Sequence, residues 1–197
     1  MCGRYMSFTT DEEHEIAQII KDVESKQSSE IFPTDIAPVL LGKNDTLSAQ
    51  VMKWGYSGYP DRNRPNVKPK PLINAKAETV KSLSTWKDSV ALRRCIVPSN
   101  GFFEWRRGSA NDKTKYLFRL PDESALYMAA VYKMFPLADS GEVPHFSILT
   151  TAANSSIVEV HNRMPVILRR NEFDEWLWGD WERLFERSKI ELNKELA

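Results

Sequence analysis

Short runs of β-branched and aromatic residues, bounded by glycine, proline or polar turn residues, recur along most of the chain and are typical of β-strands. They cover 39–41, 47–54, 94–98, 101–105, 116–119, 126–132, 145–151 and 164–168. The first two runs flank a turn-like stretch, which predicts a hairpin. Many short strands favour a sheet that curves or closes, so we expect an α+β fold with a curved, mostly antiparallel, barrel-like β-sheet core.

Helical patterns occur only towards the two ends of the chain, so we expect the helices to be peripheral. The first is predicted over 11–25, where a Thr10–Glu13 capping box precedes apolar residues spaced along one face. Two terminal helices are predicted around 173–177 and 181–185, separated by a glycine.

A loop over 56–71 contains four prolines and four basic residues. Loops this long inside a compact domain are usually functional. No linker long enough to separate two domains is visible, so we expect a single domain over 1–197.

Composition excludes several classes of protein. The longest apolar runs are a few residues, too short for a transmembrane helix, which needs about 20. The N-terminus lacks the apolar segment of a signal peptide, so we expect a cytoplasmic monomer with no membrane partner. Two cysteines make no disulfide framework, and three histidines without His-Glu-x-x-His spacing do not indicate zinc. We therefore expect no metal and no cofactor.

The net charge is zero, but the charge is unevenly distributed. Residues 53–94 contain ten basic and three acidic residues. A basic middle between acidic ends can focus positive potential on one face, as nucleic-acid binding requires, with Arg62 and Arg64 of the loop as candidate DNA contacts. A scatter of solvated lysines would give the same composition.

Cys2 is the most informative single residue. Removal of the initiator methionine would leave its α-amine and thiol on adjacent carbons, and both groups ionise near neutral pH. Such a 1,2-aminothiol condenses with an aldehyde to an imine and closes to a thiazolidine. With an amide, the thiolate would act as an acyl-transfer nucleophile. An inert cysteine remains an alternative, and Cys95, inside an apolar run, is predicted to be a core residue.

Three further polar residues stand beside apolar segments. Glu104 is flanked by aromatic residues, and surroundings that disfavour its charged form suit a carboxylate to general acid–base work; the alternative is an edge-strand carboxylate paired with Arg106 or Arg107. His161 is suited to proton transfer near neutral pH or to a structural hydrogen bond. Asn74 is suited to orienting a substrate oxygen or to capping a strand.

Eight segments, taken in order, resemble the SRAP family, the "SOS response-associated peptidase" proteins that process abasic sites. They are residues 1–5, 37–38, 54–55, 73–79, 93–98, 101–105, 150–154 and 161–165. Each segment is weak evidence alone, but their ordered set over 1–168 is specific. The resemblance implies an SRAP-like fold and covalent capture of ring-opened abasic sites in single-stranded DNA, with possible lyase activity and removal of its own N-terminal methionine.

The resemblance also implies roles for individual residues. Cys2 would be the nucleophile, Asn74 would orient its amine and the opened sugar, Glu104 would move protons, and His161 would assist ring opening or strand scission. Phosphates would be contacted by Arg4, Lys76 and Arg163, and Thr150 would line the pocket.

The sequence departs from the family pattern at particular positions. Asp35 stands where an asparagine is common, and Lys76 replaces a common arginine, which keeps the charge but loses bidentate phosphate geometry. We also expect no late strand after the second terminal helix.

Two other interpretations remain at this point. Class II glutamine amidotransferases also begin Met-Cys-Gly, and residues 99–101 imitate their oxyanion-binding Asn-Gly. A non-catalytic module that binds single-stranded DNA is the other.

Overall fold

The computed structural model describes residues 2–9, 15–21, 29–58, 66–107, 113–121, 123–136 and 141–197. The strands are β1 (Tyr5–Met6), β2 (Glu30–Ile31), β3 (Ile36–Lys43), β4 (Thr46–Trp54), β5 (Asn74–Lys76), β6 (Arg94–Ser99), β7 (Phe102–Arg107), β8 (Lys113–Arg119), β9 (Leu126–Pro136), β10 (Glu142–Ala152), β11 (Arg163–Pro165), β12 (Ile167–Leu168) and β13 (Asn193–Leu196). The helices are α1 (Glu15–Ile20), α2 (Lys87–Leu92) and α3 (Phe173–Leu177), with 3₁₀ turns at Arg170–Glu172 and Glu182–Phe185.

Five strands close into a barrel in the order β10-β4-β3-β6-β9, and β9 pairs back onto β10. All of these pairings are antiparallel except β10–β4, which is parallel. The β3–β4 hairpin turns through Asn44 and Asp45, whose φ angles of 49° and 59° match the two-residue turn that follows strand twist. The short strands β5, β11 and β12 extend the barrel by pairing with β9 or β10.

A second sheet has the order β13-β8-β7-β1-β2 and is antiparallel throughout. Buried apolar residues form two clusters. Alternate residues of one strand enter different clusters: Cys95 and Val97 join one, and Ile96 joins the other. The first cluster draws on both sheets and includes Cys2, so the N-terminus is held where the two sheets pack together.

The predicted fold is confirmed: the core is a curved, mostly antiparallel and barrel-like sheet, and the helices are short and peripheral. Of the predicted first helix, the described residues show Glu15–Ile20, and the remainder lies outside them. The predicted run 164–168 is divided at Val166 into β11 and β12. No helix within the described part of the chain has the length and apolar character that crossing a bilayer requires.

Two expectations for the C-terminal part were wrong. The second terminal helix is only a 3₁₀ turn, Glu182–Phe185. A late strand, β13, does follow it and pairs with β8 from Tyr116 to Arg119. Its sequence is polar and exposed, so its pairing with a longer neighbour, rather than its own periodicity, makes it a strand.

Candidate active site around Cys2

Cys2 lies three residues before the start of β1 and is completely buried. Its Sγ donates a weak hydrogen bond to the Arg4 carbonyl, 3.7 Å away. Its own carbonyl oxygen accepts a 2.8 Å hydrogen bond from Asn74 Nδ2. Asn74 is the first residue of β5, which pairs in parallel with β10 from Ile148 onward. Asn74 therefore ties the N-terminus to the barrel and does not cap its own strand.

The surroundings of Cys2 disfavour its thiolate. Burial raises the pKa of the Cys2 thiol far above its usual range, and the charge of Glu104 raises it further. Glu104 is 3% exposed and lies on β7, opposite Tyr116 of β8. Because β7 lies between β8 and β1, the edge-strand alternative for Glu104 is wrong. A thiol in this setting needs a hydrogen bond or a proton acceptor before it becomes a nucleophile.

A cleft of about 650 Å³ opens beside Asn74. Its lining residues are Pro71, Leu72, Ile73, Asn74, Lys76, His161, Asn162 and Arg163. His161 Nδ1 lies 3.0 Å from the Arg163 backbone nitrogen and 3.3 Å from the Arg163 carbonyl oxygen, so the backbone of Arg163 fixes the orientation of the ring. The structure thus brings together four of the residues singled out in the sequence, and Asn74 links them to Cys2.

Arg163 is held by a carboxylate on the wall of this cleft. Its two Nη atoms bind Glu78 at 2.5 and 2.9 Å, and Nη2 also donates to the carbonyl of Thr150. These bonds hold the pKa of Glu78 below its usual range. Thr150 is fully buried, and it pairs with exposed Lys76 across β5 and β10.

Arg4 lies outside the set that lines the cleft. Its guanidinium binds Glu30 at 3.1 Å and lies 4.1 Å from the ring centre of Phe32 and 5.2 Å from that of Trp105. Glu30 also binds Lys115 at 2.7 Å, and the two cations lower its pKa against the opposing effect of burial. Both Arg4 and Arg163 therefore carry a carboxylate partner where phosphate contacts were predicted.

Some basic residues of the segment 53–94 bind other groups of the protein, and others are exposed to solvent. Arg94 donates to the carbonyls of Val90 and Ala91 near the end of α2 and to those of Trp176 and Leu177 in the last turn of α3. Lys81 pairs with Glu182. Lys68 and Lys70, by contrast, are exposed and lead into the cleft at Pro71. Arg62 and Arg64 lie outside the described residues.

The side chain of Asn100, which resembles the oxyanion-binding Asn of the amidotransferases in sequence, forms hydrogen bonds to Thr9 and Ser124. Its Oδ1 accepts from the backbone N–H and the hydroxyl of Thr9, and its Nδ2 donates to the carbonyls of Thr9 and Ser124. The amide therefore anchors the N-terminal segment. Among the described residues, no cluster of three or more His, Cys, Asp or Glu side chains offers a metal site.

One residue of the site, Glu78, was not predicted. It carried a signal in the sequence, because it is one of three acids in a strongly basic stretch.

Comparisons with known proteins agree on one family. Residues 1–194 match the family model described as "SOS response associated peptidase (SRAP)". The chain is 30% identical over 186 residues to the "Abasic site processing protein YedK" of Escherichia coli, covering 90% of this chain and 79% of the relative. It is 25% identical over 181 residues to the "Abasic site processing protein YoqW" of Bacillus subtilis, covering 90% of this chain and 80% of the relative.

Solved structures share the fold. A crystal structure of a protein from Bacteroides thetaiotaomicron superposes with a TM-score of 0.78 at 23% identity, covering 100% of this chain and 92% of that one. One from Bordetella bronchiseptica gives a TM-score of 0.79 at 18% identity, covering 100% and 99%.

Proposed function

Since the chain belongs to the SOS response associated peptidase (SRAP) family, we propose that it processes abasic sites by capturing the ring-opened sugar in single-stranded DNA covalently through Cys2. The observation that carries the proposal is the hydrogen bond from Asn74 to the Cys2 carbonyl, because Asn74 also lines the cleft that contains His161. This hydrogen bond supports an arrangement in which the aminothiol of Cys2 reacts with a sugar held in the cleft that Asn74 lines. The names of its relatives supply the substrate class.

The chemistry follows from the aminothiol. Removal of Met1 frees the α-amine of Cys2. The amine adds to the C1′ aldehyde of the opened sugar and water leaves, forming an imine. The thiol then adds across the C=N bond, so that a C–S bond forms and the nitrogen receives the thiol proton. The product is a thiazolidine, and the balance needs no oxidant, reductant or metal.

The surrounding side chains divide the proton transfers. Glu104, whose charge acts on Cys2, moves protons during imine formation and ring closure. Asn74 orients the Cys2 amine and the opened sugar. His161 assists ring opening or strand scission, since imidazole exchanges protons near neutral pH.

Lys76 and Arg163, which line the cleft, contact phosphates next to the captured sugar. The carbonyl of Thr150 accepts a hydrogen bond from Arg163 and helps to hold its guanidinium in position. Arg4, Arg62 and Arg64 extend the phosphate contacts. Both Nη atoms of Arg163 bind the carboxylate of Glu78. A phosphate that binds Arg163 must therefore displace Glu78 or bind the guanidinium together with it. Single strands bound in this way are released by salt, with about 0.7 log units of affinity per log unit of salt for each phosphate neutralised.

The test is denaturing electrophoresis after incubation with an abasic single-stranded oligonucleotide, with removal of Met1 verified by mass spectrometry. The parent protein forms an adduct that survives denaturant, and Cys2→Ala forms none. Cys95→Ala is the matched control and retains the adduct, because it removes the other buried thiol. Cys2→Ser leaves at most an imine that borohydride traps. Binding that is wholly reversed by salt and denaturant in the parent would instead identify a non-catalytic DNA-binding module.

A further inference from the structure

The guanidinium of Arg163, which lines the cleft together with Lys76, already binds an anion of the protein itself. Its Nη1 donates to Oε1 of Glu78 at 2.5 Å, and its Nη2 donates to Oε2 of the same carboxylate at 2.9 Å. A guanidinium binds a phosphate through the same pair of parallel donors. The carboxylate of Glu78 therefore takes the position on Arg163 that a phosphate of a bound strand needs.

The carboxylate can leave this position without releasing the guanidinium. The side chain of Arg163 is only 15% exposed, and its Nη2 also donates a 2.5 Å hydrogen bond to the carbonyl of Thr150 on β10. The side chain of Glu78 is 49% exposed and belongs to the turn that follows β5. Rotation of Glu78 into solvent therefore opens the guanidinium to a ligand while Thr150 still holds it.

The pair between Arg4 and Glu30 is built differently. Glu30 accepts from Arg4 through one oxygen, at 3.1 Å, and binds Lys115 through the other, at 2.7 Å. This group of three keeps a net positive charge and leaves part of the Arg4 guanidinium free of the carboxylate. The pair between Arg163 and Glu78 is neutral, and its carboxylate binds both Nη atoms. Of the two predicted phosphate contacts, Arg163 is therefore the one at which a carboxylate competes directly with the strand.

Glu78 competes as a charged group. The hydrogen bonds from Arg163 lower the pKa of Glu78, and the charge of Lys76 lowers it further, so the carboxylate is ionised at neutral pH. An ion pair with an exposed partner contributes little to the stability of a fold. Loss of the Glu78 charge is therefore expected to leave the fold intact and to change mainly what Arg163 binds.

We propose that Glu78 is an internal competitor for the DNA backbone: its carboxylate occupies Arg163 in the free protein, and a phosphodiester of the bound strand must displace it. This inference rests on the proposed function, in which Arg163 contacts phosphate. The competition weakens reversible binding to any strand. An abasic strand is still retained by its covalent bond to Cys2, whereas an undamaged strand is released. Glu78 is thus a specificity-determining residue that does not touch the reacting atoms.

The first measurement is equilibrium binding of an undamaged single-stranded oligonucleotide to the parent, Glu78→Gln and Glu15→Gln. Glu15 is the matched control, because both of its oxygens bind Arg170 at 2.9 Å and it lines a separate cleft. Glu78→Gln lowers Kd about 2- to 10-fold, the range expected when an exposed ion pair no longer competes. Glu15→Gln removes the same charge and leaves Kd unchanged. Equal effects of the two substitutions would overturn the inference, because net charge alone would explain them.

A double-mutant cycle separates competition for Arg163 from repulsion between Glu78 and the strand. Removing the carboxylate relieves repulsion in any background, but it relieves competition only where Arg163 is present. In an Arg163→Gln background, Glu78→Gln therefore improves affinity by a smaller factor than in the parent. The same factor in both backgrounds would overturn the inference, because Glu78 would then act on the strand and not through Arg163.

Single-turnover crosslinking to an abasic single strand, with protein in excess, shows whether Glu78 acts on binding alone. Glu78→Gln lowers the protein concentration that gives half the maximal rate by the same factor as it lowers Kd. The maximal rate stays that of the parent, because the bound phosphate has by then displaced the carboxylate. A lower maximal rate would overturn the inference, since Glu78 would then position Arg163 for the reaction. Absence of any covalent adduct with the parent would overturn the proposed function itself, a result on which the binding measurements do not depend.

Discussion

The surroundings of the two cysteines, one before β1 and one within β6, begin alike. Cys2 and Cys95 are both free thiols with no exposed surface, and burial raises the pKa of each. The carbonyl oxygen of each accepts one side-chain N–H at 2.8 Å, from Asn74 and from Trp176. Burial and backbone anchoring therefore do not distinguish a reactive cysteine from a structural one.

The two cysteines differ in the surroundings of the side chains that bind their carbonyl oxygens, Asn74 for Cys2 and Trp176 for Cys95. Asn74 lines the open cleft with His161, and the charge of Glu104 acts on the Cys2 thiol. Trp176 is itself fully buried, and Cys95 pairs with Ala130 inside the β6–β9 ladder. Desolvation alone shifts the pKa of Cys95. Reactivity is thus expected from a nearby proton-transfer group and an accessible space.

Of the two thiols, only that of Cys2 is affected by the charge of a carboxylate, Glu104. Removing this charge is expected to have the largest effect on the crosslinking rate. Glu104→Gln slows crosslink formation by about 10²–10⁴-fold, the range for loss of a general acid or base. DNA affinity stays nearly intact, because the change removes a negative charge that only disfavours DNA. Single-turnover crosslinking and equilibrium binding to an undamaged strand measure the two effects.

The matched control is Glu172→Gln. Glu172 is another carboxylate of low exposure, and it pairs with buried Arg187 at 2.9 Å. Its loss lowers stability and leaves the crosslinking rate unchanged. If Glu104→Gln reacted as fast as the parent, the carboxylate would be structural and the contrast between the two cysteines would rest on access alone.

Removing each of the two anchoring hydrogen bonds in turn, from Asn74 and from Trp176, is expected to separate effects on activity from effects on stability. Asn74→Ala slows crosslinking roughly 10- to 100-fold, since the lost hydrogen bond is worth about 1–3 kcal/mol. Trp176→Phe removes the side-chain hydrogen bond to the Cys95 carbonyl and lowers the free energy of unfolding by about 0.5–1.5 kcal/mol. The crosslinking rate of folded Trp176→Phe matches that of the parent. Chemical denaturation and crosslinking of both variants check this, and a large rate loss in Trp176→Phe would contradict the division.

The sequence predicted the barrel because its longer strands contain continuous runs of apolar, β-branched and aromatic residues, as in β6 and β9. It missed β1, β2, β5 and β13, which have two to four residues each and form by pairing with neighbouring strands. It also missed α2, a single short helix of six residues.

For the site, the sequence predicted the residue types but not their partners. The sequence does not reveal that Glu78 forms an ion pair with Arg163. Nor does it reveal that Glu30 forms ion pairs with both Arg4 and Lys115. These pairs depend on strand register and join residues 26 to 85 positions apart.

Alkaline pH is expected to affect both cysteines alike, with the smallest effect. Burial holds both thiols protonated in the folded state, whereas an unfolded thiol ionises near pH 8.5. Above that pH unfolding releases thiol protons, so stability is fully present below pH 8.5 and falls as the pH rises towards the folded-state value. At pH 9.5 each thiol accounts for about 1.4 kcal/mol of this loss.

The measurement is urea denaturation of the parent, Cys2→Ala and Cys95→Ala at pH 7 and at pH 9.5, in protein that retains Met1. Buried tyrosines such as Tyr56 add to the alkaline loss, but they are common to all three proteins and cancel in the differences. Because burial is the first cause at both thiols, each variant is expected to lose about 1.4 kcal/mol less than the parent between the two pH values. An alkaline loss in Cys2→Ala equal to that of the parent would show that Cys2 ionises as readily folded as unfolded. Water would then reach its sulfur, and the two sites would differ in burial as well as in chemistry.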